Sequence, residues 1–113
     1  MIIKYKVREC VRPNGENPYR KWLERLDNSV KARIQARIFR LECGHMGVFK
    51  SVGQGVLELK LDFGPGYRVY FGREGRDIVI LLCGGDKADQ SKDIQSAQIY
   101  WREYLGGSND KKK

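Results

Sequence analysis

The sequence predicts an α+β fold, in which a small antiparallel sheet packs with an N-terminal helical hairpin and a C-terminal helix. Three short runs in which apolar and polar residues alternate lie between positions 55 and 86, and glycine-rich turns separate them. Such runs are typical of an antiparallel meander. Segments with helical periodicity flank the meander, and a further alternating run opens the chain. This order of elements predicts helices packed on a sheet that includes the N-terminal strand.

The N-terminal part contains one strand and two helices. Residues 2–10 alternate around apolar positions and end in a turn at 13–15. The first helix begins at Asn17, an N-cap followed by proline at the first helical position. A second helix is predicted from about Val30 to Cys43, and the short connection between the two makes them an antiparallel hairpin. Residues 44–55, which contain several glycines, are expected to form a loop.

The meander carries charged side chains on one face. In its first run leucines alternate with charged residues, so that Glu58 and Lys60 share a face. In the second run Arg68 and Tyr70 share a face. The third run, residues 78–83, is apolar on both faces and predicts a central strand covered on both sides. We expect function on the charged face, although cross-strand ion pairs on a solvated sheet would give the same pattern.

The C-terminal part is predicted to be one helix followed by a tail. The helix contains Trp101 and Leu105, and Asp89 or Ser91 can cap it. Residues 1–105 form a single domain, and residues 106–113 are expected to be a flexible basic tail.

Charge and composition restrict the class of protein. A formal net charge of +8 favours a polyanion or an acidic protein as the partner. The N-terminus lacks the apolar core of a signal peptide, and no run reaches the roughly 20 apolar residues that span a bilayer. We therefore expect a soluble, cytoplasmic protein. The three cysteines have no metal-ligand spacing, and neither a metal nor a cofactor is expected.

Several motifs, taken in order, resemble one family. The element order and these motifs are similar to the RelE/ParE superfamily of toxins, with the nearest likeness to its HigB-like branch of phage-related addiction module killer proteins. The resemblance covers nearly the whole chain. Its specific part consists of Gly55-Val-Leu-Glu-Leu-Lys, Tyr67-Arg-Val-Tyr-Phe, Leu81-Leu-Cys-Gly-Gly-Asp-Lys87, Asp93-Ile94 and Ala97.

The resemblance implies the toxin of a bacterial type II toxin–antitoxin system. RelE-like and HigB-like members cut messenger RNA on the ribosome, and a cognate antitoxin, expected here to bind DNA, neutralises them. The implied partners are therefore an antitoxin, the ribosome and mRNA. Two alternatives remain at this point: a ParE-like toxin that acts on DNA gyrase, and an inactive prophage relic that only binds its antitoxin.

The resemblance also implies catalytic residues. Glu58 and Lys60 match the acidic-then-basic pair on the first meander strand of the family, and Arg68 matches the arginine that contacts the scissile phosphate. Lys87 lies near the position where other members place a basic or acid-base residue. Several family nucleases use histidines in the cleft, whereas the single histidine of this chain, His45, lies before the meander.

Metal-independent RNA cleavage gives these residues definite tasks. The 2′-hydroxyl attacks the adjacent phosphate, so the protein must move two protons and stabilise the negative charge of the transition state. Arg68 suits the phosphate, since a guanidinium can hold two of its oxygens. Glu58 could accept the 2′-hydroxyl proton or hold its cationic neighbours in place. Lys87 or Tyr70 could act as the acid, provided that its pKa is lowered.

Further residues are candidates for RNA binding. Arg33, Arg37 and Arg40 recur at helical spacing and form either a plain exposed face or a contact with RNA phosphates. Arg73, near the last turn of the meander, has the same two interpretations. Tyr70 could stack on a base or simply pack in the core.

Overall fold

The structure is a computed structural model that describes residues 3–110. The predicted α+β fold is confirmed: this part of the chain contains five strands and three helices. In chain order these are β1 (Lys6–Glu9), α1 (Pro18–Glu24), α2 (Asn28–Glu42), β2 (Phe49–Ser51), β3 (Leu57–Lys60), β4 (Arg68–Glu74), β5 (Ile78–Gly85) and α3 (Gln90–Asp110), with a 3₁₀ turn (Lys87–Asp89) before the last helix.

The strands form one sheet in the order β1-β5-β4-β3-β2. The three meander strands pair antiparallel, as predicted. The expectation that β1 joins them antiparallel is wrong, because β1 pairs with β5 in parallel. Alternation of apolar and polar residues specifies the faces of a strand but not its direction. The direction of β1 follows from the position of the next helix. Helix α1 packs its Trp22 against Gly84, near the C-terminal end of β5, so β1 must run toward that end of the sheet.

An edge strand lies where the sequence predicted only a loop. Phe49–Ser51 pairs antiparallel with β3, and all three of its residues are exposed. Three residues between glycines are too short to show a periodicity of their own, so tertiary pairing decided this element. The strand matters for the site because it brings Lys50 opposite Glu58.

Helices cover both faces of the sheet. The hairpin of α1 and α2 covers one face, and α3 covers the other, so β5 is buried on both sides as predicted. Each tryptophan lies against a glycine of the sheet: Trp22 of α1 on Gly84, and Trp101 of α3 on Gly72. A Cβ at either glycine would collide with the indole, so these close approaches require glycine.

The helix ends follow capping chemistry, with some differences from the prediction. The Asn17 side chain accepts a hydrogen bond from the Arg20 amide at 3.0 Å and starts α1. Helix α2 begins at Asn28, before the predicted start. The carboxylate of Asp86, rather than Asp89 or Ser91, caps the turn that leads into α3 by accepting from the Ala88 amide at 3.0 Å.

Helix α3 continues past the predicted domain end at residue 105. It extends to Asp110, so residues 106–110 of the predicted tail are helical, and 111–113 lie outside the described residues. Within 3–110, no helix combines the length and the hydrophobicity that crossing a bilayer requires.

Candidate functional site

The charged residues of the meander lie side by side at one end of the sheet. Cross-strand pairing places Lys60 opposite Arg68 and Glu58 opposite Tyr70. On its other side Arg68 lies opposite Gly85 of β5. Cross-strand partners share a face, so the side chains of Glu58, Lys60, Arg68 and Tyr70 lie on the sheet face that α3 covers.

Glu58 and Arg68 form a buried ion pair. Their residue exposures are 3% and 6%, and the Arg68 Nε lies 3.7 Å from the Glu58 Oε1. The guanidinium is fixed from the other side, where its Nη1 donates to the Gly66 carbonyl at 2.7 Å. The Nε of Arg68 is buried and has no hydrogen-bond partner. A buried ion pair of this kind is a weak source of stability, so we interpret it as a positioning device.

Two further residues hold the Glu58 carboxylate, and the sequence analysis assigned neither of them to the site. The Gln90 Nε2, at the start of α3, donates to the Glu58 Oε2 at 2.9 Å. The Lys50 Nζ lies 3.9 Å from the Glu58 Oε1. Lys50 could have been found only by predicting the edge strand β2. Nothing in the periodicity of the chain indicated Gln90, since its contact depends on how α3 docks on the sheet.

The ion pair lies at an open cleft of about 250 Å³ rather than beneath a closed layer. The cleft holds three cations around one carboxylate and has apolar residues on its edge-strand side. Its lining consists of Val48, Phe49, Lys50, Glu58, Lys60 and Arg68. Of the four residues that the resemblance implies as catalytic, the structure brings Glu58, Lys60 and Arg68 together in this cleft.

Lys87 lies beside this cleft but does not line it. Its backbone amide donates to the Pro65 carbonyl at 3.3 Å, which ties the 3₁₀ turn to the β3–β4 connection. A Cβ at Gly66 would lie 3.0 Å from the Lys87 Cβ and 3.1 Å from the Arg68 Nη1. Lys87 thus approaches Arg68 across a glycine that permits the close contact, and its own side chain is exposed.

Tyr70 lies in the core, where its ring is 0% exposed. The predicted stacking on an RNA base is incompatible with this position, because no face of the ring is open. Burial and the neighbouring charge of Glu58 raise the pKa of the Tyr70 hydroxyl above its ordinary value. A higher pKa makes the phenol a weaker acid, which also opposes the predicted role as proton donor.

Arg73 lies far from the cleft. It is five residues along β4 from Arg68, a distance of about 17 Å at ~3.3 Å per residue. Because the offset is odd, it also lies on the opposite sheet face. Its guanidinium donates to the Arg76 carbonyl at 3.0 Å and lies 5.4 Å from the centre of the Tyr5 ring. The structure therefore does not bring Arg73 together with the other predicted RNA-binding residues.

The three arginines of α2 line a second concave surface, which also includes Lys60. Arg33, Arg37 and Arg40 line a groove of about 370 Å³ between α2 and the end of β3, and Lys60 belongs to its lining as well. His45 lies in the loop after α2, outside both the groove and the cleft, and its carbonyl accepts from the Arg37 Nη1 at 3.0 Å.

The arrangement suits an anion with several oxygens. The Arg68 guanidinium is fixed in direction, and Lys60 and Lys50 supply point charges near it. Glu58 holds the cations in place but leaves the cleft with excess positive charge. Within residues 3–110, no group of three or more His, Cys, Asp or Glu residues could hold a metal ion.

Comparisons with known proteins agree with a phage-related origin. The chain is 51% identical over 83 residues to an uncharacterized protein of Haemophilus influenzae strain Rd, and this match covers 73% of the chain and 84% of that protein. No solved structure shows a significant match to the chain. Residues 21–101 match the family described as "Phage derived protein Gp49-like (DUF891)". The chain therefore belongs to the Gp49-like family of phage-derived proteins, which is a toxin-like addiction-module family.

Proposed function

We propose that this protein is the toxin of a type II toxin–antitoxin system, in the HigB-like branch of the RelE/ParE superfamily, and that it cuts messenger RNA on the ribosome. Membership of a toxin-like addiction-module family supports the first part. The cleft supports the second part. Its partners would be the ribosome, the mRNA and a DNA-binding antitoxin, all of which are reached in the cytoplasm.

The observation that carries the proposal is the position of Arg68. Its guanidinium is held by Glu58 and by the Gly66 carbonyl while it lines an open, cationic cleft. A guanidinium fixed before the substrate arrives loses little freedom on binding and is aimed at the place where charge develops. That is the requirement for stabilising a phosphorane-like transition state.

The residues of the cleft divide the chemistry as follows. The RNA 2′-hydroxyl attacks the neighbouring phosphorus and the 5′-oxygen leaves, while Arg68 and Lys60 stabilise the phosphoryl oxygens. Glu58 fits the anchoring role better than that of a base, since its carboxylate already faces Gln90 and the cations and is 3% exposed. Lys87, exposed beside the cleft, is the remaining candidate for protonating the leaving oxygen.

Few groups in the cleft can transfer protons, so positioning must supply much of the rate. No histidine lines the cleft, and Tyr70 is buried. Orienting the 2′-hydroxyl in line with the leaving oxygen is worth many orders of magnitude in rate when the geometry is well fixed. The ribosome would supply this orientation of the mRNA, so cleavage would require that the message is being translated.

The proposal is tested by induced expression followed by mapping of mRNA 5′-ends. New ends at codons in the ribosomal A site are expected. We expect Lys60→Ala to reduce cleavage about 10²-fold, the size of effect found when one charge-stabilising group is removed. Arg68→Lys, which keeps the charge but loses the planar fork, should reduce it comparably. Lys6→Ala, an exposed lysine at the opposite edge of the sheet, serves as the matched control.

Other outcomes point to other functions. Intact messages together with inhibited DNA supercoiling would overturn the nuclease proposal in favour of a gyrase toxin. Intact messages and normal supercoiling, in cells where the protein is folded, would leave only antitoxin binding. Full toxicity of folded Arg68→Lys and Lys60→Ala would refute the assignment of the cleft.

A further inference from the structure

The first turn of helix α3 crosses three strands of the sheet. Gln90 reaches β3, where its side chain donates to the Glu58 carboxylate at 2.9 Å. Asp93, three residues later on the same side of the helix, lies over β5, where a Cβ at Gly85 would collide with its Oδ2. Strand β4 lies between β3 and β5. Its Tyr70, which pairs with Glu58 in the register and is fully buried, therefore lies beneath this turn, between two carboxyl groups.

The two polar atoms beneath the turn are left without partners. The Tyr70 hydroxyl and the Asp93 Oδ2 are both buried, and neither finds a hydrogen-bond partner among the described residues. Burial, followed by the charges of Glu58 and Asp93, raises the pKa of the Tyr70 hydroxyl, which therefore keeps its proton. A phenol has one proton to donate and can also accept a hydrogen bond. Both carboxyl groups can therefore bond to this hydroxyl only when one of them carries a proton itself.

The surroundings assign that proton to Asp93 rather than to Glu58. Glu58 faces the cations of the cleft, which favour its ionised form. Burial, followed by the charges of Asp89 and Asp86, raises the pKa of Asp93 to about 6. The other charged or titratable side chains around Asp93, including those across the open pocket of about 400 Å³ that it lines, are Tyr70, Cys83, Lys92, Tyr100, Glu16, Lys21 and Arg25.

We propose that Asp93 and Tyr70 are positioning residues for the cleft. Neutral Asp93 donates to the Tyr70 oxygen, directly or through one water, and the Tyr70 hydroxyl donates to the Glu58 carboxylate. When the Asp93 proton leaves to solvent through the open pocket, the Tyr70 hydroxyl turns toward Asp93, and Glu58 loses a donor. Glu58 then draws more strongly on Arg68, whose Nε lies 3.7 Å from the Glu58 Oε1, so the guanidinium is less available to an anion.

The coupling between the two carboxyl groups is tested by carbon-13 NMR on the full-length protein. We expect the carboxyl carbon of Glu58 to report a step near pH 6, at the titration of Asp93. Tyr70→Phe keeps the buried ring but removes the hydroxyl, and should abolish the step at Glu58 while Asp93 still titrates. Asp89→Asn, at an exposed position, removes a charge that favours the proton on Asp93, and should move the step to lower pH without abolishing it.

The effect on the cleft is tested with a 2′-deoxy oligouridylate, which lacks the attacking hydroxyl and cannot be cut. Its affinity for the wild type should fall about fivefold between about pH 5 and about pH 8, the lower end for coupling between two sites. Asp93→Asn stays neutral and can still donate to Tyr70, so it should keep the high affinity throughout. The ratio of the two affinities at each pH removes the contributions of other titrating groups.

The remaining outcomes overturn the proposal. A Glu58 signal without a step, or a step of full size in Tyr70→Phe, would refute the chain of hydrogen bonds. An affinity ratio that is constant with pH, or a probe that binds at no pH, would refute the effect on anions.

Only the consequence for RNA cleavage rests on the proposed function, because the NMR titration requires neither translation nor cleavage. A coupled titration in a protein that cuts no message would refute the nuclease and leave this chain of hydrogen bonds standing. A protein that cuts messages while its Glu58 signal ignores Asp93 would do the reverse.

Discussion

The two faces of the sheet are built differently. On the face covered by α1 and α2, the buried side chains are hydrophobic throughout. On the face covered by α3, an apolar cluster continues into the buried Glu58 and Arg68. Within the described residues, three buried side-chain atoms lack a hydrogen bond: the Arg68 Nε, the Tyr70 hydroxyl and the Asp93 Oδ2. All three lie on the α3 side.

We interpret this difference between the faces as a division of roles, in which the face under α1 and α2 stabilises the fold and the face under α3 also carries the candidate site. A face that only needs to exclude water can be filled with apolar side chains, as is the face under the helical hairpin. On the other face, helix α3 packs on β4 and β5. Its contact with β3 is the hydrogen bond that Gln90 donates to Glu58. Buried polar atoms without a hydrogen bond are rare, and the Arg68 Nε among them still faces the Glu58 carboxylate at 3.7 Å, so their grouping on one face is typical of a site rather than of a face built for packing alone. We expect substitutions on the two faces to have separable effects.

The largest expected effect on stability is on the apolar face. Leu59 is 0% exposed and packs in the cluster beneath α1 and α2. Leu59→Ala should lower the free energy of unfolding by about 4 kcal/mol, the upper part of the range for fully buried leucines. Denaturant titration measures this change. Val11→Ala, at a 60% exposed position, should change it by less than about 0.5 kcal/mol. A small loss in Leu59→Ala would mean that this face is loosely packed.

A single and a double variant of the Glu58–Arg68 ion pair test the contrast between the two faces more directly. Arg68→Met leaves the Glu58 carboxylate buried beside fewer cations, and should destabilise the protein by about 3 kcal/mol. The double variant Glu58→Leu with Arg68→Met removes both charges, and should lie within about 1 kcal/mol of the wild type. Both variants should lose RNA cleavage. If the double variant is as unstable as the single one, the pair contributes to the fold and the contrast between the faces fails.

Two glutamines of α3 allow a matched test of positioning. Gln90 donates to the Glu58 carboxylate, and Gln98 donates to the Val52 carbonyl, each at 2.9 Å. Replacement of either by leucine should cost about 1–2 kcal/mol of stability, with Gln90 at the upper end because its acceptor is charged. Only Gln90→Leu should also lower the single-turnover cleavage rate. Equal rates in the two variants would show that Gln90 has no role in positioning Glu58.

The last comparison on the α3 face is a pH dependence at Asp93. Burial, followed by the charges of Asp89 and Asp86, raises the pKa of this carboxyl from its ordinary 3.8 to about 6. The folded protein therefore holds this proton more tightly than the unfolded chain. The resulting stabilisation is complete below pH 3.8 and is lost as the pH rises through about 6.

Asp93→Asn stays neutral and should lack this loss. The variant should gain stability relative to the wild type as the pH rises from about 4 to about 7. Denaturant titrations of both proteins at several pH values measure the difference, in which the contributions of other carboxylates cancel. A constant difference across this range would contradict the raised pKa. An NMR titration of the Asp93 carboxyl carbon gives an independent check.

The shared face of the charged residues followed from strand alternation, which is a local rule, whereas the choice of Glu58, Lys60 and Arg68 as site residues came from the resemblance. Tyr70 obeyed the same rule, yet the docking of α3 buried it. Lys50 and Gln90 were missed because their contacts depend on an edge strand of three residues and on the position of a helix. No local pattern encodes either feature.

The sequence by itself determined the class of fold, the buried central strand, the cap at Asn17 and the shared face of the charged residues. Each of these follows from periodicity or capping within a few consecutive residues. Only the tertiary structure decided the parallel pairing of β1 and the placement of Lys60 between a cleft and a groove. These features depend on contacts between residues far apart in the chain, where the direction of a strand and the docking of a helix are set by the packing of the whole core.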